Sequence, residues 1–146
     1  MQPLQFAIPI EGLEAVAGVL PHIILVFVLV TMATRLLAHR RHEAAIADGA
    51  ESLSRFYPHW ILMGVLTLVS FAYLIVRPHA GIILSMFVLS TFVSDFFEFE
   101  ARNVEARNGM ELERPKAALT STAFLLLYAA YQSLFFLVAP FWGAIV

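Results

Sequence analysis

Residues 21–38 read PHIILVFVLVTMATRLLA, a proline followed by a nearly unbroken apolar run. Three further runs of this kind follow along the chain, opened by Pro58, Pro78 and Pro115. Because a helix rises about 1.5 Å per residue, roughly 20 apolar residues cross a hydrocarbon core of about 30 Å. A segment surrounded by lipid must satisfy its own backbone hydrogen bonds, which favours helices over other structures. The pattern therefore predicts an all-α fold, a four-helix transmembrane bundle.

The prolines also indicate where the helices begin. Proline suits the first turn of a helix because the N–H that it lacks has no intrahelical partner there. We predict a single transmembrane domain over residues 1–146, joined on one side by polar loops at about 39–57 and 100–115. The predicted helices lie at about 15–38, 59–76, 79–99 and 116–138.

The start of the first helix has two interpretations. Residues 13–20 are apolar enough to extend the span, which makes Pro21 a kink inside the helix. Alternatively, residues 11–20 form a short piece at the membrane interface. The choice sets the depth of His22, either several ångströms inside the bilayer or at the headgroups.

The composition agrees with a membrane protein and excludes several classes of function. Of the 146 residues, 60% are hydrophobic and 14% are charged, against about 25% charged in a typical soluble domain. The net charge of −2 offers no basic surface for nucleic acid, and the absence of cysteine excludes disulfides and thiolate chemistry. The common phosphate-loop, dinucleotide, nucleophile-elbow and zinc-protease motifs are also missing from the sequence.

The positively charged side chains are distributed unevenly between the two ends of the predicted bundle. Arg77 alone falls at one end, and the other eight of the nine Lys and Arg residues fall at the end with the longer loops. The eight are Arg35, Arg40, Arg41, Arg55, Arg102, Arg107, Arg114 and Lys116. By the positive-inside rule, these loops are cytoplasmic and both termini are extracytoplasmic. The expected location is the cell membrane, as a multi-pass protein surrounded by the lipid bilayer.

The spacing of the prolines suggests an internal duplication. Pro21 precedes Pro58 by the same interval that separates Pro78 from Pro115, so the two halves are offset by 57 residues. At this offset Pro21-His22 aligns with Pro78-His79. Two tandem helical hairpins give such a pattern. The alternative is that two apolar hairpins resemble one another by composition alone.

A polar stripe marks the loop end of the third predicted helix, where residues 94–102 read SDFFEFEAR. Asp95, Glu98 and Arg102 fall on one face because residues three and four apart are helical neighbours. Glu98 and Arg102 also stand in the favourable order for an ion pair along a helix. One interpretation is a carboxylate pair that binds a cation or relays protons. The other is an amphipathic helix end whose charges face the cytoplasmic headgroups.

A second polar group is predicted at the opposite end of the bundle. It consists of His22, Arg77, His79, Tyr131 and Gln132. His22 and His79 start two helices that can lie diagonally in an up-down bundle, and diagonal histidines can hold haem between them. The alternative is that each is a hydrogen-bonded interfacial residue at a helix start.

Three histidines lie near the loop end. His39 and His42 flank Arg40-Arg41, and His59 follows Pro58 at the same membrane level. Together with Asp95 or Glu98 they could supply nitrogen and oxygen ligands to a divalent metal. The neighbouring arginines oppose metal binding, so a basic patch against anionic lipid is the simpler interpretation. No metal site is predicted.

Small residues recur on the third and fourth predicted helices, where they allow close helix packing. They are Ser90, Ser94, Ala117, Ser121, Ala129 and Ser133. We expect these two helices to form the tightest contact, within the chain or between subunits.

Four segments carry a resemblance to a known family. They are MQPLQF at 1–6, SDFFEFEARNVEARN at 94–108, ERPK at 113–116 and LYAAYQSLFF at 127–136. The chain resembles a small family of uncharacterised haloarchaeal four-helix membrane proteins. The resemblance spans the whole chain and implies a membrane protein without an assigned activity, so it transfers no catalytic residue.

These observations favour a non-catalytic small integral membrane protein. It is expected to be a homo-oligomer or an accessory subunit of a membrane complex, with itself or other membrane subunits as partners and no cofactor. The alternative is a redox or ion-coupled module. Such a module would use a histidine pair with haem, quinone or metal, or the carboxylates of the third helix.

Overall fold

A computed structural model describes residues 8–146, so the MQPLQF segment of the resemblance lies outside the described residues. The fold is all-α, and no β-strand occurs within residues 8–146. The helices are α1 (Ile10–Val16), α2 (Leu20–Ala47), α3 (Tyr57–Val76), α4 (Pro78–Arg107) and α5 (Lys116–Ile145). Four of them, α2 to α5, are long and apolar enough to cross a membrane.

The helix boundaries follow from proline and glycine. Prolines occupy the first turns of α2, α3 and α4, and Pro115 directly precedes α5. The ends of α2 and α4 are each followed by a glycine with a positive φ, 89° at Gly49 and 65° at Gly109. Only glycine adopts this left-handed conformation without steric cost, which makes it a common helix stop.

The start of the first span differs from the predicted helix at about 15–38. Helix α1 ends at Val16, and α2 begins at Leu20 with Pro21 in its first turn. A short separate piece therefore precedes the span, and it packs against α3. A proline in the first turn removes no intrahelical hydrogen bond, whereas a proline in mid-helix would. His22 consequently lies exposed on the first turn of α2.

The two polar loops are shorter than predicted. Helix α2 continues to Ala47 and α4 to Arg107, so the connections occupy residues 48–56 and 108–115. Alanine, glutamate and arginine dominate these extensions and are strong helix formers. Helix α5 likewise runs past its predicted end, through Pro140 to Ile145.

Helices α2 to α5 form a ring in which each packs against its neighbours in the chain and α5 closes onto α2. The most extensive contact joins α4 and α5. Buried positions recur at alternating spacings of four and three residues, as expected for left-handed bundle packing. On α2 these positions are Ile24, Val28, Thr31, Arg35, Ala38 and His42.

The bundle interior combines an apolar cluster with buried polar side chains, and its outer surface is apolar over the spans. Buried positions include Thr31, Ser70, Thr91, Thr122 and Ser133, each at most 2% exposed. Large apolar side chains cover the outer surface of all four spans. In lipid there is no hydrophobic force between helices, so packing and interhelical hydrogen bonds hold them together. This distribution fits a bilayer as the surrounding medium.

Candidate functional site

A buried ion pair crosses the bundle diagonally, near the end that carries the 48–56 and 108–115 connections. We call this the arginine-rich end. The Arg35 side chain of α2 donates two hydrogen bonds to the Asp95 carboxylate of α4, from Nε at 2.8 Å and from Nη2 at 2.7 Å. Both residues are 4% exposed. Two parallel charge-assisted bonds fix the relative position of the two helices more firmly than a single contact would.

A third helix joins the pair through His59 at the start of α3. His59 Nε2 lies 3.0 Å from Asp95 Oδ2, and His59 Nδ1 lies 2.8 Å from the Thr34 hydroxyl of α2. A carboxylate only accepts hydrogen bonds, so Nε2 carries a proton. Nδ1 can then accept from the Thr34 hydroxyl. If Nδ1 instead donates to it, the hydroxyl can donate to the Thr31 carbonyl at 3.1 Å.

The resulting network, Arg35–Asp95–His59–Thr34, is balanced in charge when His59 is neutral. One guanidinium and one carboxylate cancel, and the remaining two members are uncharged. Buried polar groups are costly unless they are hydrogen-bonded, and removing one partner of a buried pair leaves the other uncompensated. The network therefore makes the positions of α2, α3 and α4 interdependent at this end.

Of the predicted polar stripe, only Asp95 belongs to this network. Glu98 and Arg102 stand in the favourable order for an ion pair but form none within residues 8–146. Glu98 Oε1 instead accepts from the backbone N–H groups of Ala117 at 2.6 Å and Ala118 at 3.2 Å. The first N–H groups of a helix have no intrahelical acceptor, and the positive end of the helix dipole favours a carboxylate there. Arg102 is buried, and its Nε has no hydrogen-bond partner within residues 8–146.

The histidines near the arginine-rich end are dispersed rather than gathered. His39 pairs with Glu43 at 3.1 Å, and His42 Nε2 lies 3.0 Å from the Ser54 carbonyl of the first loop. His59 does approach Asp95, but Arg35 occupies the position next to that carboxylate. Within residues 8–146, no group of three or more His, Asp or Glu side chains is arranged to hold a metal ion.

The five residues of the polar group predicted at the opposite end form no hydrogen bonds with one another in the described part of the chain. Gln132 accepts from the Tyr73 hydroxyl at 3.1 Å and donates to the Tyr128 hydroxyl at 3.2 Å. Tyr131 is exposed and packs its ring beside Phe135. His22, Arg77 and His79 are exposed, and neither histidine side chain forms a hydrogen bond within the described residues.

The six predicted packing residues divide between the bundle interior and its surface. Ala129 and Ser133 are buried in α5, while Ser90 and Ala117 are exposed. Ser121 is half-buried and lies 2.9 Å from the Thr91 hydroxyl of α4, which links the two helices. Ser94 is half-buried and lines a groove between α4 and α5.

A family model matches residues 2–146 and is described as "Domain of unknown function (DUF7313)". The chain belongs to this family. Its predicted membership of a family without an assigned activity is thereby confirmed. No curated protein and no solved structure significantly matches the chain.

Sequence reasoning missed the role of Arg35. The positive-inside argument counted it only as one charge of the loop end, and the structure shows that it is buried inside the bundle near that end. It is the one charged residue in the apolar run 21–38. A charge within a span usually turns inward to a partner, which is the signal that could have linked it to Asp95. Thr34 gives no comparable signal, because threonine is common in membrane helices.

Proposed function

We propose that this DUF7313 protein is a non-catalytic integral membrane protein that acts by contacting other membrane proteins. In this proposal it crosses the bilayer four times and forms a homo-oligomer or an accessory subunit. The buried Arg35–Asp95 pair serves to join the protein's own helices, since Asp95 is engaged by Arg35 and His59. The redox or ion-coupled alternative has less support. It requires either the Asp95 carboxylate, which is already engaged, or His22 and His79, which are exposed and form no hydrogen bond within the described residues.

The observation that carries the proposal is the exposed surface of α5. Only 17% of its most apolar part is buried within the chain, against 28% to 33% in the other three spans. Every residue from 134 to 146 is exposed. A groove of about 550 Å³ follows one face of α5 and includes Leu127, Tyr131, Phe135 and Trp142. Grooves of this kind accept the side-chain ridge of another helix.

The orientation that we propose puts the arginine-rich end in the cytoplasm, on the strength of the charge asymmetry. We also propose the haloarchaeal source implied by the resemblance. Eight arginines against a single lysine agree with this source. Equally similar family members from non-halophilic organisms would remove the support for it.

Cysteine cross-linking in native membranes tests the contact through α5. The chain has no cysteine, so Leu127→Cys introduces a single thiol on the exposed face. Leu68→Cys on α3 is a matched control: both leucines are 69% exposed, and each lies eleven positions after the first residue of its helix. We expect a cross-linked species from Leu127→Cys under mild oxidation or with a short bismaleimide. The Leu68→Cys protein is expected to stay monomeric on the same gels.

The mass of the product separates the two forms of the proposal. A product of twice the chain mass indicates a homo-oligomer, and any other defined mass indicates an accessory subunit with a partner. If both variants stay monomeric, or if both cross-link equally, α5 is not a specific contact surface and the proposal fails.

A further inference from the structure

A pocket of about 370 Å³ opens between α2 and the start of α5 at the arginine-rich end. Along α2 its lining runs from Met32 to Glu43, roughly 16 Å at the helical rise. Its walls are apolar toward the middle of the span, at Met32, Leu36 and Leu119. They become polar toward the helix extension, at His39 and Arg40. The pocket thus changes from apolar to charged along the direction in which a lipid changes from acyl chain to headgroup.

The charge at the polar end of the pocket is mainly positive. Arg40 and Arg114 line it, are exposed and form no ion pair within the described residues. Glu43 is the one acidic residue in the lining, and it is paired with His39 at 3.1 Å. Arg35 also lines the pocket, but Asp95 balances its charge. The two exposed guanidiniums therefore outweigh the single carboxylate.

Two buried polar atoms beside the pocket have no hydrogen-bond partner within residues 8–146. They are Arg35 Nη1 and His39 Nδ1, and both residues line the pocket. An unsatisfied buried polar group is costly and usually marks a missing partner. Arg35 Nη1 is a donor, so an anionic acceptor seated in the pocket would bring a partner close to it. His39 Nε2 faces the Glu43 carboxylate, so Nδ1 can donate to the anion only when both ring nitrogens carry protons.

We propose that this pocket binds an anionic phospholipid. Its phosphate is held by Arg40 and Arg114, and one of its acyl chains lies against Leu36 and Leu119. The volume is within the range of small-molecule sites, and guanidinium groups suit phosphate oxygens through paired hydrogen bonds. The proposal rests on insertion of the chain into a membrane and not on assembly through α5.

The test compares two charge-matched double variants. Wild-type protein in mild detergent is mixed with equal amounts of phosphatidylglycerol and phosphatidylcholine with identical acyl chains, and native mass spectrometry measures the lipid adducts. Arg40→Gln/Arg114→Gln removes the two pocket charges. Arg41→Gln/Arg107→Gln removes two charges outside the pocket lining. The pocket variant loses two guanidinium groups that are proposed to bond the phosphate directly, so it is expected to lose phosphatidylglycerol binding at least about tenfold. The control is expected to change about twofold or less.

A second variant tests the apolar part of the pocket, and inorganic phosphate tests the need for a lipid. Leu119→Trp leaves all charges in place but fills the apolar part of the pocket, and it should also weaken phosphatidylglycerol binding severalfold. Equal losses in the two double variants, or no loss in Leu119→Trp, would show attraction by surface charge alone and overturn the site. Displacement of the lipid by equimolar inorganic phosphate would overturn the assignment to a lipid. The same spectra report the number of protein subunits separately, so failure of the assembly proposal can be distinguished from failure of the lipid-site proposal.

Discussion

Replacing Asp95 with leucine is expected to lower the free energy of unfolding by about 3–5 kcal/mol. The change leaves the Arg35 guanidinium buried without a counter-charge and takes the acceptor from His59. Arg35→Leu is expected to cost a similar amount, because it leaves Asp95 uncompensated. The double variant Arg35→Leu/Asp95→Leu should recover most of the loss, since both charges are removed together. Reversible unfolding in mixed micelles, followed by tryptophan fluorescence, measures all three.

Glu100→Gln is the matched control for the loss of an acidic group on α4. Glu100 is exposed and pairs with Arg55 at 3.3 Å, so its replacement is expected to change stability by less than about 1 kcal/mol. The account of the network is contradicted if Asp95→Leu costs no more than Glu100→Gln. It is also contradicted if the losses of Arg35→Leu and Asp95→Leu simply add in the double variant.

The second large effect is expected at Gly81, where α4 lies directly against the α3 backbone at Leu74. A Cβ added to Gly81 would collide with the Leu74 Cα and lie 2.6 Å from the Leu74 backbone nitrogen. Backbone atoms cannot move aside as the end of a side chain can, so Gly81→Ala must push the helices apart. Overpacking of this kind costs about 1–3 kcal/mol or more. Separation would also break the 3.2 Å hydrogen bond from the Ser85 hydroxyl to the Ser70 carbonyl.

Gly64→Ala on α3 is the control for the intrinsic effect of the substitution. A Cβ at Gly64 meets no atom within 4 Å. Because alanine is the better helix former by up to about 1 kcal/mol, this variant should be neutral or slightly more stable. The same unfolding assay is used for both. Equal stability of the two variants would contradict the close contact between Gly81 and Leu74.

The fold was largely predictable from local signals in the sequence. The prolines at positions 21, 58, 78 and 115 and the apolar runs after them predicted four long helices near their observed positions. The ends of α2 and α4 were less predictable, because polar residues that are good helix formers continue a helix out of the bilayer as readily as they form a loop. The glycines at 49 and 109 are the local signals that fit the observed ends.

The site was predictable only where neighbours in the chain are neighbours in space. Asp95, Glu98 and Arg102 were grouped by helical spacing, yet their partners belong to other helices. Residues 35, 59 and 95 are separated by more than twenty positions, so no local pattern joins them. Residues 35 and 95 pair because two opposite charges are buried in separate spans. Predicting this pair requires the arrangement of the helices as well as the sequence.

The central proposal is that the chain crosses the membrane four times with its arginine-rich end in the cytoplasm. Single cysteines at exposed positions test it directly with a membrane-impermeant maleimide: His79→Cys at the α3–α4 turn, Glu51→Cys in the first loop and Met110→Cys in the second. With this topology, intact cells are expected to label only His79→Cys, and the other two variants react once the membrane is opened. Labelling of Glu51→Cys and Met110→Cys in intact cells, with or without His79→Cys, would contradict it.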